Sequence, residues 1–200
     1  AMFNFHKVKN LKLNNLTVMD SAAYFFRFCE VDGFDIRNII FTGSNARPNQ
    51  DGLHFCGGCK NGRISDMVAL NGQTNDDLIA LNADDCLTRV ENLGLQCGAI
   101  ENIRIENVVA ENCHTFLRML SVTNPIRNIE IKNVRCGCRT NAINMDAARY
   151  CRTPLFKEEE YPEGVGRIEN IQIKGMTVYS TADTPEQPLI LCESNCKNVR

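Results

Sequence analysis

Apolar residues alternate with polar ones in short runs along this chain, and the runs repeat. Leu11, Leu13, Leu16 and Val18 set the pattern in Val8-Lys9-Asn10-Leu11-Lys12-Leu13-Asn14-Asn15-Leu16. The same text returns from Ile100 to Val108, from Ile126 to Val134 and from Ile168 to Met176, with looser copies at Val31–Ile39 and Cys59–Met67 and a partial one from Cys196. Anchored on an Asn or Gly at 10, 33, 61, 102, 128, 170 and 198, the steps are 23, 28, 41, 26, 42 and 28 residues. Short steps suit one coil of a solenoid, and the two near 41 suit a coil carrying a long loop. Period two predicts strands, and the Ile and Val content fits strands packed on one face. No helix-period segment follows each strand, which sets aside a leucine-rich repeat. The expectation is a parallel β-helix of about six coils, with three short strands per coil. The repeated Asn reads as a stacked turn residue and not as a ligand, and Asn71-Gly72 reads as a coil turn.

A second family of strands precedes each copy: Phe26-Arg27-Phe28, Leu53-His54-Phe55, Ile79-Ala80-Leu81, Leu117-Arg118-Met119, Ile143-Asn144-Met145 and Leu189-Ile190-Leu191. The outer members of each triplet face inward, so Arg27, His54, Ala80, Arg118, Asn144 and Ile190 form one outward column. Solenoids bind long ligands on such surfaces.

Two hundred residues read as a single domain over 1–200, with Ala1-Met2 a cloning remnant at a start Met. A net charge of −2 offers no basic field for nucleic acid. No apolar run reaches membrane-spanning length, and nothing implies a cofactor. Eleven Cys include Cys56-Gly57-Gly58-Cys59, Cys136-Gly137-Cys138 and Cys192 with Cys196. Zinc and disulfides are alternatives, but Cys29, Cys56 and Cys192 fall at like strand ends and Cys59 and Cys196 each open a repeat, as stacked core thiols would. Mostly unpaired thiols and no visible signal peptide favour the cytoplasm, and a signal removed in cloning would place the protein outside the cell. The last copy is cut short, so the chain reads as incomplete at one or both ends, with uncapped ends open to self-association.

Acidic residues gather in one place. Aligned on Phe55 and Leu81, Asp51 of Asn49-Gln50-Asp51-Gly52 and Asp77 of Asn75-Asp76-Asp77 share a level on adjacent coils, ~4.8 Å apart. Asp76 lies beside them, and repulsion among three carboxylates raises at least one pKa. One protonated and one ionised carboxyl together are what glycoside hydrolysis uses. A calcium site or a solvated Asp turn are the alternatives. His114 falls within a residue of the same level on the next coil.

These segments, in order, resemble the signatures of glycoside hydrolase family 28, the polygalacturonases: Asn-Thr-Asp-Gly, Gly-Asp-Asp, Gly-His-Gly and Arg-Ile-Lys. The likeness covers about residues 2–150 and includes the coil from Lys9 to Ala22 and the approach loop from Ser44 to Gly52. Cys113 and Thr115 stand where the family has Gly on either side of the His. The resemblance implies a right-handed parallel β-helix that hydrolyses a pectin-type or related polysaccharide with inversion, without a metal. Asp76 would be the general acid, Asp51 and Asp77 the pair that activates water, and His114 would tune the acid. His54, Arg118, Asn144, Arg27 and Asp146 would line the substrate groove. Inversion would separate acid and base carboxyls by ~6.5–9.5 Å. This chain has Asn144-Met145-Asp146 in place of Arg-Ile-Lys and an extra loop at Cys86–Ala99. The loss of both basic groups predicts weak action on polygalacturonate and better action on a neutral or mixed backbone. A non-catalytic glycan-binding β-helix and a calcium-dependent lyase are the competing functions.

Overall fold

The structure, a computed structural model, describes residues 1–88, 96–183 and 188–200. Strands alternate between two parallel sheets of seven. The first sheet stacks β1 (Phe3–His6), β3 (Phe26–Cys29), β5 (Leu53–Phe55), β7 (Asp77–Asn82), β9 (Thr115–Leu120), β11 (Ile143–Asp146) and β13 (Ile190–Glu193) in that order. The second stacks β2 (Lys9–Met19), β4 (Asp32–Thr42), β6 (Lys60–Ala69), β8 (Ile100–Cys113), β10 (Ile126–Cys138), β12 (Ile168–Ser180) and β14 (Cys196–Val199). This is a parallel β-helix, and Phe3-Asn4-Phe5 gives it a rung that the repeats at later coils did not suggest.

The expected three strands per coil become two, because each longer strand bends without leaving its sheet. The bends are residues in the left-handed conformation. At the first corner stand Asn10, Gly33, Asn61, Asn102, Asn128, Asn170 and Asn198, with φ between 55° and 76°. These are the repeat anchors. Asn tolerates positive φ better than other side-chain-bearing residues, and Gly33 adopts it freely. The side chains then bond from coil to coil: Asn102 donates to Asn61 at 3.0 Å, Asn128 to Asn102 at 2.9 Å, Asn170 to Asn128 at 3.1 Å and Asn198 to Asn170 at 3.0 Å. A second ladder links Asn107 to Asp66 and Asn133 to Asn107. At Asn71-Gly72 both residues have positive φ and Gln73 closes the turn onto Leu70.

The corners hold register, and register fills the core. Ile36, Ile64, Ile105, Ile131 and Ile173 stack in one column. Phe28 stacks on Phe55 at 4.5 Å and Phe34 on Phe55 at 5.1 Å. Gly62, paired with Phe34, has no side chain because the Phe34 ring fills that space.

One register differs from the reading of the triplets. Ile190 pairs with Ile143, so Leu191, not Ile190, takes the outward rung beside Asn144, and Cys192 pairs with Met145 and not at the level of Cys29. Leu189-Ile190-Leu191-Cys192 is apolar throughout and has no alternation to fix its phase. Nine cysteines lie outside any disulfide, six of them buried, and Cys86 and Cys97 form a disulfide that packs against Cys29 and Cys56. The extra loop at Cys86–Ala99 lies partly outside the described residues. Two connections are long, 83–99 and 147–167, and both run from a strand of the first sheet to one of the second. No helix among the described residues is long and apolar enough to cross a membrane.

The corner makes a direct stability prediction. Asn102→Ala forces an alanine into the left-handed region, whereas Asn102→Gly loses only the ladder bonds. The Ala variant should be less stable than the Gly variant by about 1–2 kcal/mol in urea unfolding. Equal midpoints would show that backbone conformation does not select Asn at this corner.

Candidate active site

The carboxylates sit where chains leave the second sheet and enter the first. The Gly52 N–H donates to the Asp77 carbonyl at 2.9 Å, and the Phe25 N–H donates to the Asp51 carbonyl at 2.8 Å, which locks the Asp51 and Asp77 coils together. Asp77 pairs in register with Thr115, so Asp76 is level with His114. The turn before Asp76 is held from another coil. Arg139 donates to the Gly72 carbonyl at 3.1 Å, the Thr74 carbonyl at 3.2 Å and the Asn75 side chain at 2.9 Å.

Burial separates the three acids. The Asp76 side chain is 33% exposed, whereas those of Asp51 and Asp77 are buried. Burial, reinforced by the Asp51 charge, raises the Asp76 pKa, with His114 and Arg118 opposing. Asp77 is raised further, by burial and then by Asp51. Two acids are thus held toward their protonated forms beside a third. Asp76, Asp77 and His114 bring one donor atom each within 4.8 Å of one another, the cation-sized grouping found among the described residues. The Asp76 and Asp77 oxygens are therefore closer than the ~6.5–9.5 Å expected for an inverting acid–base pair.

His114, 3.9 Å from Asp76, has its pKa lowered, first by burial and then by Arg139 against the pull of Asp76. His54 was expected to touch substrate. It lines the cleft of the acids from beneath Tyr24, ring on ring at 4.2 Å, with Nδ1 2.6 Å from Asp51 and 2% exposure. Arg118 and Asp146, both expected to line the substrate groove, bond to each other at 2.8 Å. Burial lowers the Arg118 pKa, but Asp77 and Asp146 outweigh it and hold the guanidinium charged. Asn144 is level with Arg118, and its side-chain oxygen is buried without a hydrogen bond. Arg27 is one rung from His54 and bonds to Asn4, apart from the acids.

The sequence reading missed Tyr24, Asn82 and Asp85, which line the same polar cleft as Asp51, Asp76, Asp77, His54 and Arg118. Its volume, ≈ 40 Å³, admits a water molecule or two. Asp84-Asp85, directly after the outward strand, was the available signal for Asp85. Asp84 itself is structural: its carboxylate accepts the N–H groups of Val122, Thr123 and Asn124.

The model of the glycosyl hydrolases family 28 matches residues 1–200. A probable polygalacturonase of Arabidopsis thaliana is 27% identical over 55% of this chain and 25% of its own length. A polygalacturonase of Persea americana is 24% identical over 89% of the chain and 42% of its own length. The polygalacturonase QRT2 of Arabidopsis thaliana is 21% identical over 98% and 47%. The chain thus spans between a quarter and a half of the length of these relatives. With the stacked coils, the acids at their shared corner and a family match from end to end, the chain belongs to glycosyl hydrolases family 28.

Proposed function

We propose that this chain carries the catalytic carboxylates of a hydrolase that cleaves a glycosidic bond in a pectin-type or related polysaccharide with inversion. The observation that carries the reading is the division of three adjacent acids by burial, Asp76 partly exposed and Asp51 and Asp77 buried, beside a cleft large enough for water. Asp76 is the exposed member with a raised pKa, so it can reach the glycosidic oxygen and still hold a proton to give it. Asp51 and Asp77 are the pair that takes the proton of the attacking water. His114 faces Asp76 and tunes it. The close Asp76–Asp77 approach makes stereochemistry a decisive measurement. Product formed with inverted anomeric configuration by proton NMR supports the reading, and retained configuration would make Asp77 or Asp51 a nucleophile.

Substrate charge follows from Arg118. Its guanidinium is bound to Asp146 and faces Asp77, so it is not available to a uronate carboxylate at that rung. The subsite suits a neutral sugar, such as one in a mixed rhamnogalacturonan backbone or a galactoside. Initial rates at matched concentration should be higher on such glycans than on polygalacturonate, at low and high salt alike. Polygalacturonate as the best substrate would overturn this assignment. Release of reducing ends that survives a chelator argues against a calcium-dependent lyase, and no release from any glycan favours a binding scaffold.

Asp76→Asn should fold and lose nearly all activity, about 10²–10⁴-fold, because an amide cannot deliver the proton. Retained hydrolysis would remove Asp76 as the acid. In the unmodified enzyme, kcat/KM should fall as pH rises through the raised Asp76 pKa.

Asp77→Asn should separate activity from stability. A carboxyl whose folded pKa is raised favours folding fully below its unfolded pKa and loses that contribution as pH rises through the folded value. The Asn variant escapes the loss. It should be inactive, yet more stable than the parent at pH 7 and no more stable near pH 3, by urea unfolding at both. A variant destabilised at pH 7 would mean that Asp77 is not held protonated.

A further inference from the structure

A second cavity, of ≈ 550 Å³, shares no lining residue with the polar cleft of the acids. Small-ligand pockets run from about 300 to 1,000 Å³, so this one has room for a ligand where the cleft has room for water. It lies where the connection 147–167 returns to β12, and three coils build it. The Gly166 N–H donates to the Val122 carbonyl at 3.0 Å, and the Arg167 N–H to the Ser121 hydroxyl at 2.8 Å, both just after β9. From the turn between β13 and β14, the Asn195 N–H donates to the Val165 carbonyl at 2.7 Å and its side-chain amide to the Glu163 carbonyl at 2.6 Å. The returning chain is thus pinned to the coil on either side. Walls fixed in this way cost a ligand little ordering.

Tyr161 is the aromatic wall. Its ring stacks on Phe156 at 5.6 Å, and Tyr150 packs edge-on against both, at 6.3 Å and 5.9 Å. A ring braced by two others offers contact area at small cost in side-chain freedom. Glu163, Arg167, Glu169 and Asn195 also line the cavity, and each ends in a planar group that can engage two neighbouring hydroxyls. A pyranose has the complementary surface, with an apolar C–H face for the ring and a rim of hydroxyls for the planar groups. Charge narrows the choice. Arg167 lies 3.8 Å from Glu169, Lys197 is in register with Glu169 on the next coil, and Glu160 at the mouth is answered by Lys157 at 3.6 Å. Three acids face three bases, so neither sign is in excess and nothing selects a phosphate or a uronate.

We propose that this cavity is a second glycan site, separate from the acids, that takes a neutral pyranose unit of an oligosaccharide with Tyr161 stacked on its apolar face. The ligand class is argued from the lining, so the site does not rest on the hydrolase reading above. Fluorotyrosine labelling tests it, because the chain has four tyrosines, Tyr24, Tyr150, Tyr161 and Tyr179. The Tyr161 fluorine signal is identified by its loss in Tyr161→Phe, and Tyr24 reports the acid cleft independently. The titration is made in Asp76→Asn, so that the probe survives. A galactose tetramer should shift the Tyr161 signal saturably, and a galacturonate tetramer should bind no more tightly. Tyr161→Leu should weaken galactose-tetramer binding about tenfold, read from the Tyr150 signal. Should the Leu variant not fold, the Asp76→Asn titration decides alone. A Tyr24 shift with an unmoved Tyr161 signal overturns the second site and leaves the hydrolase reading standing. Tighter binding of the galacturonate tetramer, or an equal shift with glycerol, overturns the assignment to a neutral sugar. A saturable Tyr161 shift in a chain whose unmodified form cleaves no glycan upholds the site and removes the hydrolase reading.

Discussion

Everything in this molecule depends on coils returning to the same level. A parallel stack has no hairpins to set its register, so register must come from the corners and from the core. The corner asparagines do both parts of the work at once. Their backbones take a left-handed conformation that turns the strand, and their side chains bond to the coil below. A coil that slipped by one residue would lose its ladder bond and turn its isoleucines outward. That constraint makes Asp51 and Asp77 lie level on adjacent coils, and Asp76 level with His114 on the next.

Stacking acids at the spacing of strands creates an electrostatic problem, and the structure meets it with few cations. Arg118 is bound to Asp146, His54 to Asp51, and His114 stands off at 3.9 Å. Protons neutralise the remainder. Adjacent acids with raised pKa values are suited to acid–base work.

Much of this was legible in the sequence, and the reasons are physical. The repeat anchors could be found because only Asn and Gly pass cheaply into the left-handed region, so the chain must show them at each corner. The Asp51, Asp77 and His114 levels could be found because period two on stacked coils allows counting. Counting failed at Ile190, where four apolar residues in a row carry no phase. It also could not show what covers what. His54 was correctly placed on the outward side, but the Tyr24 ring that buries it comes from a different coil, about thirty positions earlier. The Arg118–Asp146 bond was missed for a related reason: the two residues belong to different coils and are offset by two positions, so each was weighed as a separate charge.

The two long connections, 83–99 and 147–167, both leave the first sheet at the ends of its strands and rejoin the second. The corners on the far side keep their ladder with residues 41 and 42 apart as readily as with residues 26 apart. Length is therefore free to vary where the chain passes from the first sheet to the second, because the ladder that follows keeps its register. Loop-closure entropy grows only slowly with length, so an insertion there costs little. A fold built this way can evolve by lengthening single coils while the corner that bears the acids stays unedited.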